Sequence, residues 1–344
     1  MTTYDVAILG ATGAVGQELI GILLERDFPI KSLKALASAR SAGRILEIGQ
    51  EKLVVEEVTP ESFANVDLAF FMAGATVSRQ FAQAAQDRGV VVIDNSSAFR
   101  MDPEVPLIVP EINADDLSWH SGLIANPNCS TTIAVMALAP LHAHAGLKRV
   151  VVSTYQAVSG IGAAAIDDLH EQVVQYVQGK PINATTFPSP SAAKHYQMLF
   201  NLIPHIDAFD EGGYTKEEWK MVRETQKILH DDSIQITATT VRVPVFRSHS
   251  ESLNVELHKP MTTADARRIL EEAPGVKVYD NLAEQEYPMP LLTTDDDRVW
   301  IGRIREDFTV PAGLNLWVVG DQIRKGAALN TVQIAEELIK RDLV

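Results

Sequence analysis

The feature that most narrows the possible folds lies near the N-terminal end. Tyr4 to Leu9 (YDVAIL) is an apolar run of strand length. It passes directly into Gly10-Ala11-Thr12-Gly13-Ala14-Val15-Gly16 and then a helical stretch, Gln17 to Glu25. Glycines let the backbone come close to a ligand, and the helix N-terminus adds free N–H groups and positive potential. In a strand–turn–helix context this combination suits the pyrophosphate of a dinucleotide. The spacing is G-x-x-G-x-x-G, one residue off the commoner G-x-G-x-x-G, and a purely structural turn is the alternative.

The next stretches extend the pattern. Ser32 to Ala37 reads as a second strand, and Phe28 to Leu46 holds no Asp or Glu. An NAD-binding chain usually places an acid here for the ribose 2′-hydroxyl. Ser38, Arg40 and Ser41 stand there instead, a set suited to a 2′-phosphate, so NADP is the expected cofactor. Val66 to Ala73 and Val90 to Asp94 are further buried strands, with a helix over Ser78 to Asp87 between them. Strands alternating with helices predict an α/β fold with a parallel, doubly wound sheet. Arg100 falls just past a strand's carboxyl end, where such sheets bind ligands; it reads as an anion clamp or a surface salt-bridge partner.

A chain of 344 residues predicts two domains. Its formal charge of −15 argues against nucleic-acid or anionic-membrane partners, and no apolar run approaches the ~20 residues of a bilayer span. The start, MTTYDVAILG, predicts no signal peptide. One cysteine excludes an internal disulfide and fits a cytoplasmic protein. No metal is expected: Asp295-Asp296-Asp297 lacks the glycine and distant glutamate of a calcium loop.

That lone cysteine lies in Asn126-Pro127-Asn128-Cys129-Ser130-Thr131-Thr132, ahead of the apolar stretch Ile133 to Leu141. Asn, Ser and Thr satisfy free amides at a helix start, and the dipole there stabilises a thiolate. The bland alternative is a small buried hydrophobe. Beyond it, Lys148 to Gln156, Ile234 to Val245, Ser252 to Leu257, Trp300 to Arg305 and Asn315 to Val319 read as strands. Helices are expected over Ala164 to Gln178, Glu217 to Leu229 and Ala264 to Ala273, with loops from 179 to 215. These make an α+β second domain. Glu217 and Lys220 share one helix face, as a site pair or as an exposed ion pair. His249 is placed in a polar turn between strands, and Arg242 in an apolar strand, facing solvent or an anionic partner.

Three of these stretches resemble the bacterial aspartate-β-semialdehyde dehydrogenases. They are Pro127-Asn128-Cys129-Ser130-Thr131, Ser153-Thr154-Tyr155-Gln156-Ala157-Val158-Ser159-Gly160, and Arg242-Val243-Pro244-Val245-Phe246-Arg247-Ser248-His249-Ser250-Glu251. The likeness runs from Gly10 to Lys325-Gly326-Ala327-Ala328. It implies an NADP-binding Rossmann-like domain, 1–128 completed by a C-terminal helix in 322–344, and a catalytic and dimerisation domain, 129–321, in a homodimer. It implies that Cys129 attacks the aldehyde carbon of aspartate semialdehyde, with His249 as acid/base and Gln156 orienting the acyl-thioester. Arg242 would hold the substrate carboxylate and Glu217 its ammonium, while Arg100, Asn128 and Lys220 would bind phosphate. Cofactor contacts would come from Gly10, Thr12, Gly13, Ala14, Val15, Ser38, Arg40, Ser41, Ser159, Gly160 and Gln322. Gln322 departs from the asparagine of Gram-positive-type members but keeps an amide. The rivals are N-acetyl-γ-glutamyl-phosphate reductase, whose substrate has no free ammonium for Glu217, glyceraldehyde-3-phosphate dehydrogenase, and a non-catalytic NADP-binding relative.

Overall fold

The computed structural model describes residues 2–48 and 51–344. The chain divides into two units: one runs up to Asn128 and is rejoined by Ala327–Val344, and the other is Cys129–Gly326. Residues 322–326, expected with the closing helix, belong to the second unit.

The first unit is built on a sheet of seven strands: β1 (Tyr4–Leu9), β2 (Ile30–Ala37), β3 (Ile45–Ile48), β4 (Glu51–Glu57), β5 (Leu68–Phe71), β6 (Val91–Asp94) and β7 (Leu123–Ala125). Their order is β3-β4-β2-β1-β5-β6-β7, parallel except for the antiparallel β3/β4 pair. β1 is flanked on both sides, so its apolar run is buried, as central parallel strands require. Helices α1 (Ala14–Glu25), α2 (Ala75–Gln86) and α3 (Pro110–Asn113) belong to the same unit. The edge pair β3/β4 was not expected. Its strands mix charged and apolar residues in lengths too short for a clear period, and pairing alone makes them strands.

The second unit carries α4 (Cys129–Ala145), β8 (Leu147–Gln156), α5 (Ala163–Val177), α6 (Lys216–Leu229), β9 (Gln235–Arg242) and β10 (His249–Leu257). It continues through α7 (Thr263–Glu272), β11 (Val276–Val278), α8 (Pro290–Thr293), β12 (Val299–Asp307) and β13 (Gly313–Gly320). The six strands lie in the order β11-β12-β13-β10-β8-β9. β8 and β9 are parallel, as are β11 and β12, and the remaining pairs are antiparallel. Helices α4, α6 and α7 pack against these strands. The stretch 179–215 is loop apart from a short turn at Glu211–Gly213, yet it is pinned. Gln172 of α5 accepts the N–H groups of Met198 and Leu199 at 2.9 and 3.0 Å, and Phe187, Met198 and Ile203 pack on Ala165 and Leu169.

After a single π-helical turn, Arg324–Ala328, the chain enters α9 (Leu329–Lys340). Leu329, Val332 and Leu338 of α9 join Leu19, Ile22 and Leu23 of α1 in the first unit's core.

Two glycines shape the β1–α1 turn. Gly10 has φ +91°, and a Cβ there would lie 2.6 Å from the Met72 carbonyl oxygen. A Cβ on Gly16 would run into the carbonyl oxygen of Gly10. Gly16→Ala is therefore expected to destabilise the protein by about 1–3 kcal/mol, read as a lowered Tm in thermal melts. An unchanged Tm would mean that the turn opens freely.

Candidate active site

The second unit contains the same short motif twice. In each copy a helix leads into a strand packed against it: α4 into β8, and α6 into β9. Because β8 and β9 are parallel, both helices start, and both strands end, at one end of the sheet. The first residue of α4 is Cys129 and the last of β8 is Gln156, while Glu217 sits in the first turn of α6 and Arg242 ends β9. β10 runs antiparallel to β8, so its first residue, His249, lies at this end too.

Register then lines these groups up. Gln156 pairs with Arg242, and His249 follows one position past the Ser250–Tyr155 pair, opposite Gln156. The result is a cross-strand row, His249–Gln156–Arg242, with all three side chains buried. His249 was expected in a turn; it is instead the first strand residue and fully buried, because Ser248 takes up the bend with φ +71°.

Cys129 is partly exposed at the positive end of the α4 dipole, the position that favours a thiolate. Gly326 approaches it so closely that a Cβ there would sit 2.9 Å from the cysteine Cβ. The Ala157 N–H donates to Nδ1 of His249 at 3.0 Å, which places the ring proton on Nε2. Nε2 has no hydrogen-bond partner. Burial, and then the Arg242 charge, push the imidazole well below its usual range, so the ring is neutral at neutral pH.

Arg242 donates from one Nη to the Ala157 carbonyl at 2.6 Å, while its buried Nε has no partner. Burial pushes its pKa down to about 10, and Glu217 and Cys129 act in the opposite sense, so it stays a cation. The Gln156 amide donates to Glu217 at 3.2 Å and to the Thr154 hydroxyl at 3.4 Å. Glu217 is buried and ion-paired with Lys220 at 3.1 Å; Lys220 also reaches Asp207 at 2.8 Å. The reading of Glu217–Lys220 as an exposed surface pair is thereby excluded. Gln322 links Ser159 to the start of β10: its amide donates to the Ser159 hydroxyl, and its carbonyl accepts the Ser248 N–H at 2.8 Å. Gly160 lies against this buried row; a Cβ there would be 3.0 Å from an Nη of Arg242 and 3.4 Å from Nε2 of His249.

The remaining residues belong to the first unit. Gly10, Thr12, Gly13, Ser38, Arg40 and Ser41 line a cleft of about 470 Å³. The close backbone approach at Gly10 and this lining fit a dinucleotide; Ala14 and Val15 open α1 below it. Glu57, at the end of β4, reaches the same cleft, an acid that the linear reading of β2 could not bring there. Arg100 is buried, not a surface salt-bridge partner, and donates to the carbonyls of Asn126 and Asn95, both at 2.9 Å. Asn128 is also buried. Asp295–Asp297 form a turn tied by Arg247, Arg298 and Arg324, and no acidic or histidine cluster able to hold a metal occurs among the described residues.

One group escaped the sequence reading. Glu251 follows His249 on the same strand face, fully buried, with no hydrogen-bond partner for either carboxylate oxygen. Burial, then Glu217, push its pKa well above the ordinary 4.5, so it is a neutral acid in the fold. Only tertiary burial marks it, since His-Ser-Glu reads equally well as a solvated turn.

A doubly wound sheet with a glycine-turn cleft, in one chain with a cysteine at a helix start and a buried His–Gln–Arg row, fits a nicotinamide-dependent dehydrogenase. The NAD-binding domain of semialdehyde dehydrogenases matches residues 5–120, and their dimerisation domain matches 138–325. Aspartate-semialdehyde dehydrogenase of Aquifex aeolicus is 51% identical over 99% of both chains, and that of Bacillus subtilis is 48% identical over 98% of both. The crystal structure of aspartate semialdehyde dehydrogenase II from Vibrio cholerae, complexed with ASA, superposes with a TM-score of 0.93 at 42% identity, covering 99% of each chain. The chain belongs to the aspartate-semialdehyde dehydrogenase family.

Glu251 supplies a pH test. Its raised pKa means that the unfolded chain releases a proton above about pH 4.5 that the folded chain keeps, so stability is lost as pH rises. Relative to Glu251→Gln, the native protein should lose about 1.4 kcal/mol per pH unit above that point, and nothing below it. Denaturant melts between roughly pH 4 and 8 read the difference; parallel curves would show an ionised Glu251.

Proposed function

We propose that the chain catalyses the reversible, phosphate-dependent oxidation of L-aspartate-β-semialdehyde to β-aspartyl phosphate, with NADP(H) as cofactor. The observation that carries this reading is the meeting of Cys129's helix with the buried row His249–Gln156–Arg242. In the cell the reaction runs toward the semialdehyde, for lysine (with its diaminopimelate precursor), threonine and methionine biosynthesis. The protein acts as a cytoplasmic homodimer through its dimerisation domain. No helix among the described residues is long and apolar enough to cross a membrane.

In the oxidative direction the Cys129 thiolate forms a C–S bond to the aldehyde carbon and the carbonyl electrons move onto oxygen. His249 meets that oxygen with Nε2–H, the ring atom left for substrate by the Ala157 bond, so the neutral ring stabilises the developing oxyanion as a hydrogen-bond donor. A bound dinucleotide would supply the hydride acceptor; loss of hydride from this carbon, as the oxygen's electrons re-form the carbonyl, leaves a thioester on Cys129. Phosphate oxygen then attacks the thioester carbon, the C–S bond breaks, Cys129 departs as thiolate, and the phosphate proton is released. Gln156 orients the acyl group. The unpartnered Nε of Arg242 takes the substrate carboxylate and Glu217 its ammonium. Arg100, Asn128 and Lys220 bind phosphate; Ser159, Gly160 and Gln322 lie on the nicotinamide side. Arg40, with Ser38 and Ser41, selects the 2′-phosphate against the opposing charge of Glu57. A buried acid for a free ammonium disfavours the N-acetylated glutamyl substrate.

Purified protein should form NADPH from aspartate semialdehyde only when phosphate is present. Activity confined to the N-acetylglutamate analogue would sink this reading. Cys129→Ser should lower kcat by about three orders of magnitude or more. Arg40→Ala should raise KM for NADP about 10- to 100-fold, the scale of a charge-assisted hydrogen bond, and leave KM for NAD nearly unchanged; equal losses would remove Arg40 from the 2′-phosphate.

A further inference from the structure

We propose that Asn126 and Asn330 are positioning residues that hold the phosphate-binding arginine, Arg100, through a relay of buried amides. The proposal rests on the reading of Arg100 as a phosphate ligand.

Both asparagines are fully buried, a costly place for an amide unless each polar atom is used. Asn330 lies in α9, 204 residues beyond Asn126, and its side-chain amide donates to the Asn126 side-chain carbonyl at 2.6 Å and to the Ile108 carbonyl at 2.9 Å. The Asn126 amide then donates to the Asn95 side-chain carbonyl at 2.6 Å. Asn126 is held by its backbone as well, its N–H donating to the Asp94 carbonyl at 2.8 Å. Arg100 closes the relay. Nε donates to the Asn126 backbone carbonyl and an Nη to the Asn95 backbone carbonyl, both at 2.9 Å.

A guanidinium fastened at two points of its planar fork has one orientation left. These two acceptors are the backbones of residues whose side chains are bonded to each other. The direction in which Arg100 presents its charge is thus set by the Asn95–Asn126 link, and that link is set by Asn330. Asn95, Arg100, Asn126 and Asn330 are not among the residues lining the dinucleotide cleft, so loss of the relay should act on the phosphate step alone.

The test separates the two half-reactions. Without phosphate, the enzyme should form one equivalent of NADPH and stop at the thioester; added phosphate then allows turnover. In Asn330→Ala the single-equivalent burst and KM for NADP should stay within about twofold, while KM for phosphate rises about tenfold, the scale of a buried hydrogen bond lost. Asn330→Asp, similar in shape but with no N–H to donate, should repeat the effect. Asn95→Ala is the second variant, cutting the link from the other side with α9 intact, and should give the same phosphate-selective defect. An unchanged KM for phosphate in the Asn330 and Asn95 variants, or equal loss of burst and phosphate affinity, would overturn the relay. Arg100→Ala tests the underlying reading separately: a normal KM for phosphate there would refute Arg100 as the ligand.

Discussion

The constraint on which the second unit's site depends is strand register. His249, Gln156 and Arg242 stand in one row because β10, β8 and β9 pair as they do, and a slip of one residue would turn each side chain to the opposite face. The two helix–strand repeats then bring helix starts to the strand ends. That places the positive ends of α4 and α6 beside the row, where Cys129 and Glu217 sit. Hence a cysteine at a positive helix end and an acid that pairs with Lys220 share one end of one sheet.

Burial does the rest of the tuning. It keeps His249 neutral and lowers the guanidinium of Arg242 only to about 10, leaving a donor and a cation side by side. The same low-dielectric setting holds Glu251 protonated directly behind His249. A second row, Glu251–Thr154–Thr240, lies beneath the first by register, with Thr154 accepting from Gln156. The unpartnered polar atoms of Glu251 and Thr240 under the first row accordingly cost stability.

The first unit shows the complementary economy. Its parallel sheet buries β1 on both faces, its glycine turn opens the cleft, and α9 returns from the far end of the chain to complete the core. Through Asn330 and Asn126 that return also reaches Arg100, so a core helix and a buried arginine are joined by hydrogen bonds rather than by sequence proximity. The glycine-turn cleft was therefore more legible in the sequence than the hydrogen bonds that hold Arg100.

By itself the sequence determined the elements with strong periods and the residues with unusual local chemistry. The β1–glycine–α1 unit, the long helices, and Cys129 ahead of an apolar helix are local signals, readable because glycine stereochemistry and helix-end chemistry act within a few residues. The hairpin strands β3 and β4, without alternation or a continuous apolar run, carry no such signal. Tertiary structure alone decided that His249 is a buried strand residue, that Glu57 enters the dinucleotide cleft, and that Glu251 has no partner. Each of these follows from which strands pair and what burial removes from water, and no window of sequence contains that information.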